Sequence, residues 1–171
     1  MHGIVIRDAR ERDEIGVVRA MFEEYAASLD VDLCFQQFDE ELAQLPGYYA
    51  PPRGCVLLAE TGEGIAGCVA LRPLASNVLD IGEVKRLYVR PVARGSGAGR
   101  ALAEAVIERA RAIGYAQIKL DTLATMDAAR ALYVSLGFAE CAAYYVNPLP
   151  GVTYMSLPLR ASAPIQPAIN R

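Results

Sequence analysis

The chain has 171 residues, 53% of them hydrophobic and 22% charged, and a formal net charge of −3. That length suits one domain with a self-sufficient core, and the acidic total argues against a nucleic-acid binder, whose domain carries a basic surplus. One histidine (His2) and four cysteines without a C-x-x-C pair exclude a structural zinc centre, so no metal is expected.

In chain order, the opening "MHGIVIRDARERDE" is charged by its seventh residue and lacks an apolar signal core. "GIVIRDA" (3–9) reads as a first strand, after which Asp13 is expected to cap an amphipathic helix running to about Ala27. A short helix follows over Phe38–Leu45, stopped by "PGYYAPP". "CVLLAE" (55–60), a "TGEG" turn and "IAGCVALRPL" (65–74) carry a hairpin signature, and "DIGEVKRLYVRP" (80–91) is a further strand that ends at Pro91. A helix then runs to about Ile113, with Leu102, Val106 and Ile113 on one face and Gly114 at its end. "AQIKLDT" (116–122) is a strand. Thr125 is expected to cap the helix of "MDAARALYVSLGF", which Gly137 ends. "GFAECAAYYV" and "VTYMSLPL" read as two last strands. The order βααβββαβαββ implies a mixed α/β fold: one domain over 1–160, a largely antiparallel sheet and one strand–helix–strand crossover. Residues 161–171 read as a flexible tail. No apolar run approaches the roughly 18 residues of a membrane helix, and a reduced cytoplasmic protein with free cysteines is expected.

The most informative stretch is "VRPVARGSGAGRAL" (89–102), where Gly95, Gly97 and Gly99 lie between a strand and a helix. Glycine loses more backbone entropy on folding than any other residue, so something must approach this backbone closely. A Walker A loop needs a lysine that is missing here. A dinucleotide turn needs G-x-G-x-x-G, but Arg100 stands in the third glycine's slot and Lys85 and Arg86 interrupt the strand before it. What fits is R-x-x-G-x-G at Arg94, Gly97 and Gly99, an anion nest of N–H groups at a helix start. Lys85, Arg86, Arg90, Arg94 and Arg100 fall between 85 and 100 without an acid, which favours a polyanionic ligand over solvated arginines.

"VKRLYVRPVARGSGAGRALAEAVIERARAIGY" followed by "AARALYVSLGF" resembles the GNAT superfamily of acyl-CoA-dependent N-acetyltransferases. The resemblance covers about residues 83–138, and the flanking element order extends it to about 160. It implies acetyl-CoA as co-substrate, with the backbone of Arg94, Gly95, Ser96, Gly97, Ala98 and Gly99 around the pyrophosphate and Arg100 opening the helix. It also implies that Leu87, Tyr88 and Val89 lie on a strand splayed from its neighbour and pair with the pantetheine arm, the Val89 N–H polarising the thioester carbonyl. Tyr133 matches the family tyrosine that protonates the leaving thiolate; a phenol of pKa about 10 suits a thiol of pKa about 8.5. Glu83 falls where some members carry a glutamate that acts as general base on the amine, directly or through water, while many relatives use ordered water instead; an ion-pair role beside Lys85 and Arg86 explains it equally well. Met126 stands where the family often has asparagine, so that amide contact is missing.

The acceptor wall of such enzymes comes from the first two helices and the loop between the last strands. Residues 23–41 hold seven acids and no base. A solvated helix face explains this run better than a wall for a cationic amine. Tyr144, Tyr145 and Asn147 are expected to line one side of the acceptor pocket, the alternative being that they pack the end of the sheet. "NPLPG", "LCF" and "ALRPL" resemble a bacterial group of the superfamily. The expected activity is direct acetyl transfer to a primary amine of a small molecule or peptide. The alternative is a non-catalytic acyl-CoA sensor. No nucleic-acid or membrane partner is implied, and homodimers are common among relatives although no residue here demands one.

Overall fold

The computed structural model describes residues 3–10, 12–34, 37–74 and 80–159. His2 and the expected tail over 161–171 lie outside them. The strands are β1 (Val5–Asp8), β2 (Cys55–Thr61), β3 (Gly64–Pro73), β4 (Ile81–Val89), β5 (Gln117–Thr122), β6 (Ala139–Glu140) and β7 (Thr153–Pro158). The helices are α1 (Ile15–Ser28), α2 (Phe38–Gln44), α3 (Ala98–Ile113) and α4 (Asp127–Ser135). The strands form one seven-stranded sheet in the order β1-β2-β3-β4-β5-β7-β6, antiparallel except where β4 meets β5.

Each sheet face carries its own core, which is why β2 and β3 read as continuous apolar runs. Leu57, Val69, Leu71, Val84, Ile118 and Leu120 pack beneath Leu102, Val106 and Ala110 of α3. Val56, Leu58, Cys68, Ala70 and Tyr88 face the other way, against Val18, Met21 and Phe22 of α1. The positive φ of Gly114 (+99°) and Gly137 (+96°) lets the chain turn sharply after α3 and α4.

Three local expectations are corrected. Glu14, not Asp13, stands at the start of α1, its carboxylate accepting from the Arg10 N–H (2.8 Å) and gripped by Arg7. Thr125 does not cap α4; Met126 occupies that position without a side-chain cap bond. The strand expected through Val146 stops at Glu140, and residues 141–152 form an irregular loop. The hydroxyls of Tyr144 and Tyr145 bond to carboxylates on β4 and β5, which is incompatible with the alternation of a paired strand.

Two irregularities of β4 shape the site. Ala70 pairs with Lys85 but Cys68 with Tyr88, so β4 holds one extra residue. Arg86, at φ +59°, sits in this bulge, and Lys85 and Arg86 both reach the α1–α2 side. The β4–β5 ladder covers only Ile81–Glu83 opposite Gln117–Lys119, beyond which the two strands part.

Candidate active site

The parting of β4 from β5 opens a groove of about 790 Å³. Leu87, Tyr88, Val89, Arg94 and Gly99 line one wall, and Thr125–Ala129 with Leu132 line the other. The Arg90 N–H bonds Ala66 O on β3. By strand alternation the N–H and carbonyl of Val89 then point to the opposite, splayed side, where Arg94 Nε donates to Val89 O (3.2 Å).

A 3-10 turn (Pro91–Ala93) delivers the chain to the glycine loop. Gly95 and Gly97 adopt φ +79° and +92°, so there the requirement for glycine is conformational. Gly99 differs: it has no positive φ, and a Cβ there would meet only Val89 Cγ2 at an ordinary 3.7 Å. The packing of the protein itself does not require a glycine there, and the position is open towards the groove it lines. The first-turn N–H groups of α3 have no carbonyl four residues back within the helix, which suits an anion. Gly95, Ser96, Gly97, Ala98 and Arg100 belong to this turn but do not line the groove itself.

The cationic run from 85 to 100 is dispersed rather than pooled. Arg90 forms a two-pronged pair with Glu24, Arg86 pairs with Glu41, and Arg100 bonds Ser135 Oγ (2.9 Å). Only Arg94 of the five reaches the groove. The acids of residues 23–41 divide in the same way. Glu24 is ion-paired to Arg90, just past β4, and Glu41 to Arg86 on β4, while Glu23, Asp30, Asp32, Asp39 and Glu40 are exposed.

Beyond the ladder's end lies a buried polar cluster on the α1–α2 side. Glu83, 2% exposed, accepts from Arg72 Nε (2.9 Å) and Tyr144 OH (3.0 Å), and Lys85 Nζ stands 3.6 Å away. Asp121 faces Lys85 Nζ (3.4 Å) and accepts from Tyr145 OH (2.6 Å) and Asn147 Nδ2 (3.4 Å). The structure thus brings Glu83, Tyr144, Tyr145 and Asn147 into one network. The rings of Tyr144, Tyr145 and Tyr154 pack edge to face or tilted around it.

Burial works against the charge of Asp121, but Lys85 and the Tyr145 hydroxyl outweigh it and hold the carboxyl below its ordinary range. The same balance acts on Glu41, where Arg86 wins over desolvation. Burial raises the Tyr25 phenol to about 12 and pushes that of Tyr133 up as well, so both are protonated at neutral pH. Tyr133, on α4, packs edge-on against Phe138 and also borders a small cavity with Asp121.

Tyr25, Asp121 and Thr122 belong to this region but are not among the site residues expected from the sequence. The usable signal was period 2: Glu83 and Lys85 on β4 and Lys119 and Asp121 on β5 place ionisable groups on one face.

Comparison with known proteins agrees with this geometry. The sequence matches the Acetyltransferase (GNAT) family over residues 18–138. An uncharacterized N-acetyltransferase of Schizosaccharomyces pombe is 41% identical over 140 residues, covering 81% of this chain and 85% of that protein. The uncharacterized N-acetyltransferase YjgM of Escherichia coli is 32% identical over 122 residues, covering 71% and 72%. The fold is shared by yncA of Salmonella typhimurium, solved with its cofactor acetyl-CoA, at TM-score 0.68 and 24% identity over 94% of this chain and 96% of that one. With relatives in a fungus and a bacterium, the likeness to a bacterial group does not fix a source. No described helix is long and apolar enough to cross a membrane.

Proposed function

Because the chain belongs to the GNAT acetyltransferase family, we propose that it is an acyl-CoA-dependent N-acetyltransferase that moves an acetyl group from acetyl-CoA to a primary amine of a small molecule or peptide. The observation that carries this reading is the splay of β4 from β5, which opens a groove leading from the glycine loop towards Tyr133. Acetyl-CoA supplies the activated acetyl thioester, and the residues of the chain supply the rest.

In this reading the N–H groups of Gly95, Gly97, Gly99 and Arg100 hold the pyrophosphate at the start of α3, those of Arg94, Ser96 and Ala98 being bonded to Pro91 O, Ala93 O and Ser96 Oγ. The open edge of Leu87–Val89 takes the pantetheine arm as a further strand would, with the Val89 N–H at the thioester carbonyl, where charge develops in the transition state. Gly99 leaves room for this approach. With Met126 in place of the family asparagine, binding in this reading rests mostly on backbone groups and lacks that side-chain amide. Tyr133 gives its proton to the departing sulfur; burial keeps the phenol protonated until then. Tyr144, Tyr145 and Asn147 form the acceptor-side wall. Glu83, with both oxygens engaged by Arg72 and Tyr144, holds that wall in place.

Transfer is direct in this reading. No cysteine is among the described residues that line the groove, and burial raises the Cys55 and Cys68 thiols to about 11 and about 12, away from thiolate chemistry. A thermal-shift series with coenzyme A, acetyl-CoA and NAD tests the ligand class. Stabilisation by the first two is expected, and stabilisation by NAD alone contradicts the reading. Amine-dependent release of free thiol then separates an enzyme from an acyl-CoA sensor.

A further inference from the structure

The β4 bulge decides which backbone groups face the groove. Between the pairs Ala70–Lys85 and Cys68–Tyr88, Val69 alone stands opposite both Arg86 and Leu87. Beyond that point Leu87 packs on the α3 side of the sheet and Tyr88 on the α1 side, its ring edge-on to Tyr25. Without the extra residue, the alternation that begins at Lys85 would run on unbroken. Every later side chain would then change face, and Tyr88 rather than Leu87 and Val89 would turn its N–H and carbonyl to the open edge. Gly67 accommodates the bulged register, since a Cβ there would stand 2.5 Å from Tyr88 O and 3.3 Å from Val89 Cα. Glycine permits this approach but does not enforce it.

Arg86 supplies the enforcement. At φ +59° its backbone lies in the left-handed region, which an arginine occupies only where its surroundings compensate. The residue is 4% exposed, and its guanidinium pairs with Glu41 of α2 through Nε (3.3 Å) and Nη2. The rings of Tyr25 and Phe38 lie 5.7 and 5.0 Å from its Cζ. The carbonyl of Arg86 accepts from Cys68 Sγ (3.3 Å), a thiol that burial keeps protonated. Side chain and carbonyl are thus both fastened, one to α2 and the other to β3. Arg86, Glu41 and Cys68 are not among the described residues that line the groove.

Building on the acetyltransferase reading, we propose that Arg86 is a positioning residue: held by Glu41 and Cys68, it pins the β4 bulge and so ties the affinity of the Leu87–Val89 edge for coenzyme A to the placement of α2. Linkage makes this tie reciprocal. If α2 steadies the bulge that binds the cofactor, the bound cofactor steadies α2, although residues 38–44 are not among those lining the groove.

The test measures coenzyme A affinity by calorimetry and stability by urea unfolding on the same full-chain variants. Arg86→Met is expected to bind coenzyme A about tenfold more weakly than wild type. Arg86→Met combined with Glu41→Gln regains stability, because no carboxylate is stranded, but should bind coenzyme A as weakly as the single variant. Glu14→Gln, which weakens the start of α1 outside the bulge network, should bind as wild type does. A merely structural role makes affinity follow stability. Recovery of affinity in the double variant therefore overturns the proposal, as does wild-type affinity in Arg86→Met or an equal loss in Glu14→Gln; the acetyltransferase reading survives all three. If Arg86→Met does not fold, amide hydrogen exchange of the wild type decides. Saturating coenzyme A should slow exchange in residues 38–44 by about threefold or more, and unchanged exchange there overturns the coupling. Absence of coenzyme A binding by wild type overturns both readings.

Discussion

The Tyr144 hydroxyl donates to Glu83 Oε1 over 3.0 Å, joining residues 61 positions apart and pinning the 141–152 loop to β4 where the β4–β5 ladder ends. Replacing Tyr144 with Phe leaves a buried carboxylate oxygen without this donor, a loss of about 1–3 kcal/mol. The expected kinetic result is a higher KM for the amine with unchanged affinity for coenzyme A, read by calorimetry and steady-state assay on the same preparation.

Arg86 and Glu41 form a buried pair between the β4 bulge and α2, and the Tyr49 hydroxyl also donates to Glu41. Removing one partner strands the other charge. Arg86→Met is therefore expected to cost about 3–5 kcal/mol in urea unfolding. Arg86→Met combined with Glu41→Gln should lose less than the single arginine variant, because the stranded carboxylate is gone.

Gly99 separates stability from ligand binding. Alanine meets no close protein atom there, and a helical glycine gives up about 0.5–1 kcal/mol relative to alanine. Gly99→Ala should therefore raise the melting temperature of the free protein while weakening coenzyme A. Gly97→Ala, at φ +92°, should lower both, with a backbone cost of about 1–2 kcal/mol.

Much of this architecture was legible because the strands announce themselves by apolar runs, as in β2 and β3, or by alternation, as in β5, and by glycine punctuation. The glycine loop was legible for a stricter reason: Gly95 and Gly97 occupy backbone conformations few other residues accept. The bulge was not. A single residue at φ +59° turns Lys85 and Arg86 to the same side, and an arginine in that conformation carries no sequence signal. The cationic run therefore looked like one patch, while the structure distributes it among Glu24, Glu41, Glu83 and Asp121. Residues 141–146 misled in the opposite sense. Their apolar and aromatic character suits a strand, but the hydroxyls of Tyr144 and Tyr145 bond to carboxylates that only the folded sheet brings near.

Acid titration tests the start of α1. Glu14 is held down to about 2 by the Arg7 guanidinium and then the Arg10 N–H, against an ordinary 4.5. A depressed carboxyl stabilises the fold fully above its unfolded value and ceases to do so as pH falls through its folded one. Glu14→Gln should therefore melt below wild type at pH 7, and the gap should close as pH falls from 4.5 to about 2.

The most direct test of the central claim follows free thiol released from acetyl-CoA across a panel of primary amines, for wild type and Tyr133→Phe. The account predicts amine-dependent release by wild type and a fall of about 100-fold or more in kcat for the variant, with coenzyme A binding unchanged. Tight binding of acetyl-CoA without amine-dependent thiol release, or equal turnover by Tyr133→Phe, would contradict it.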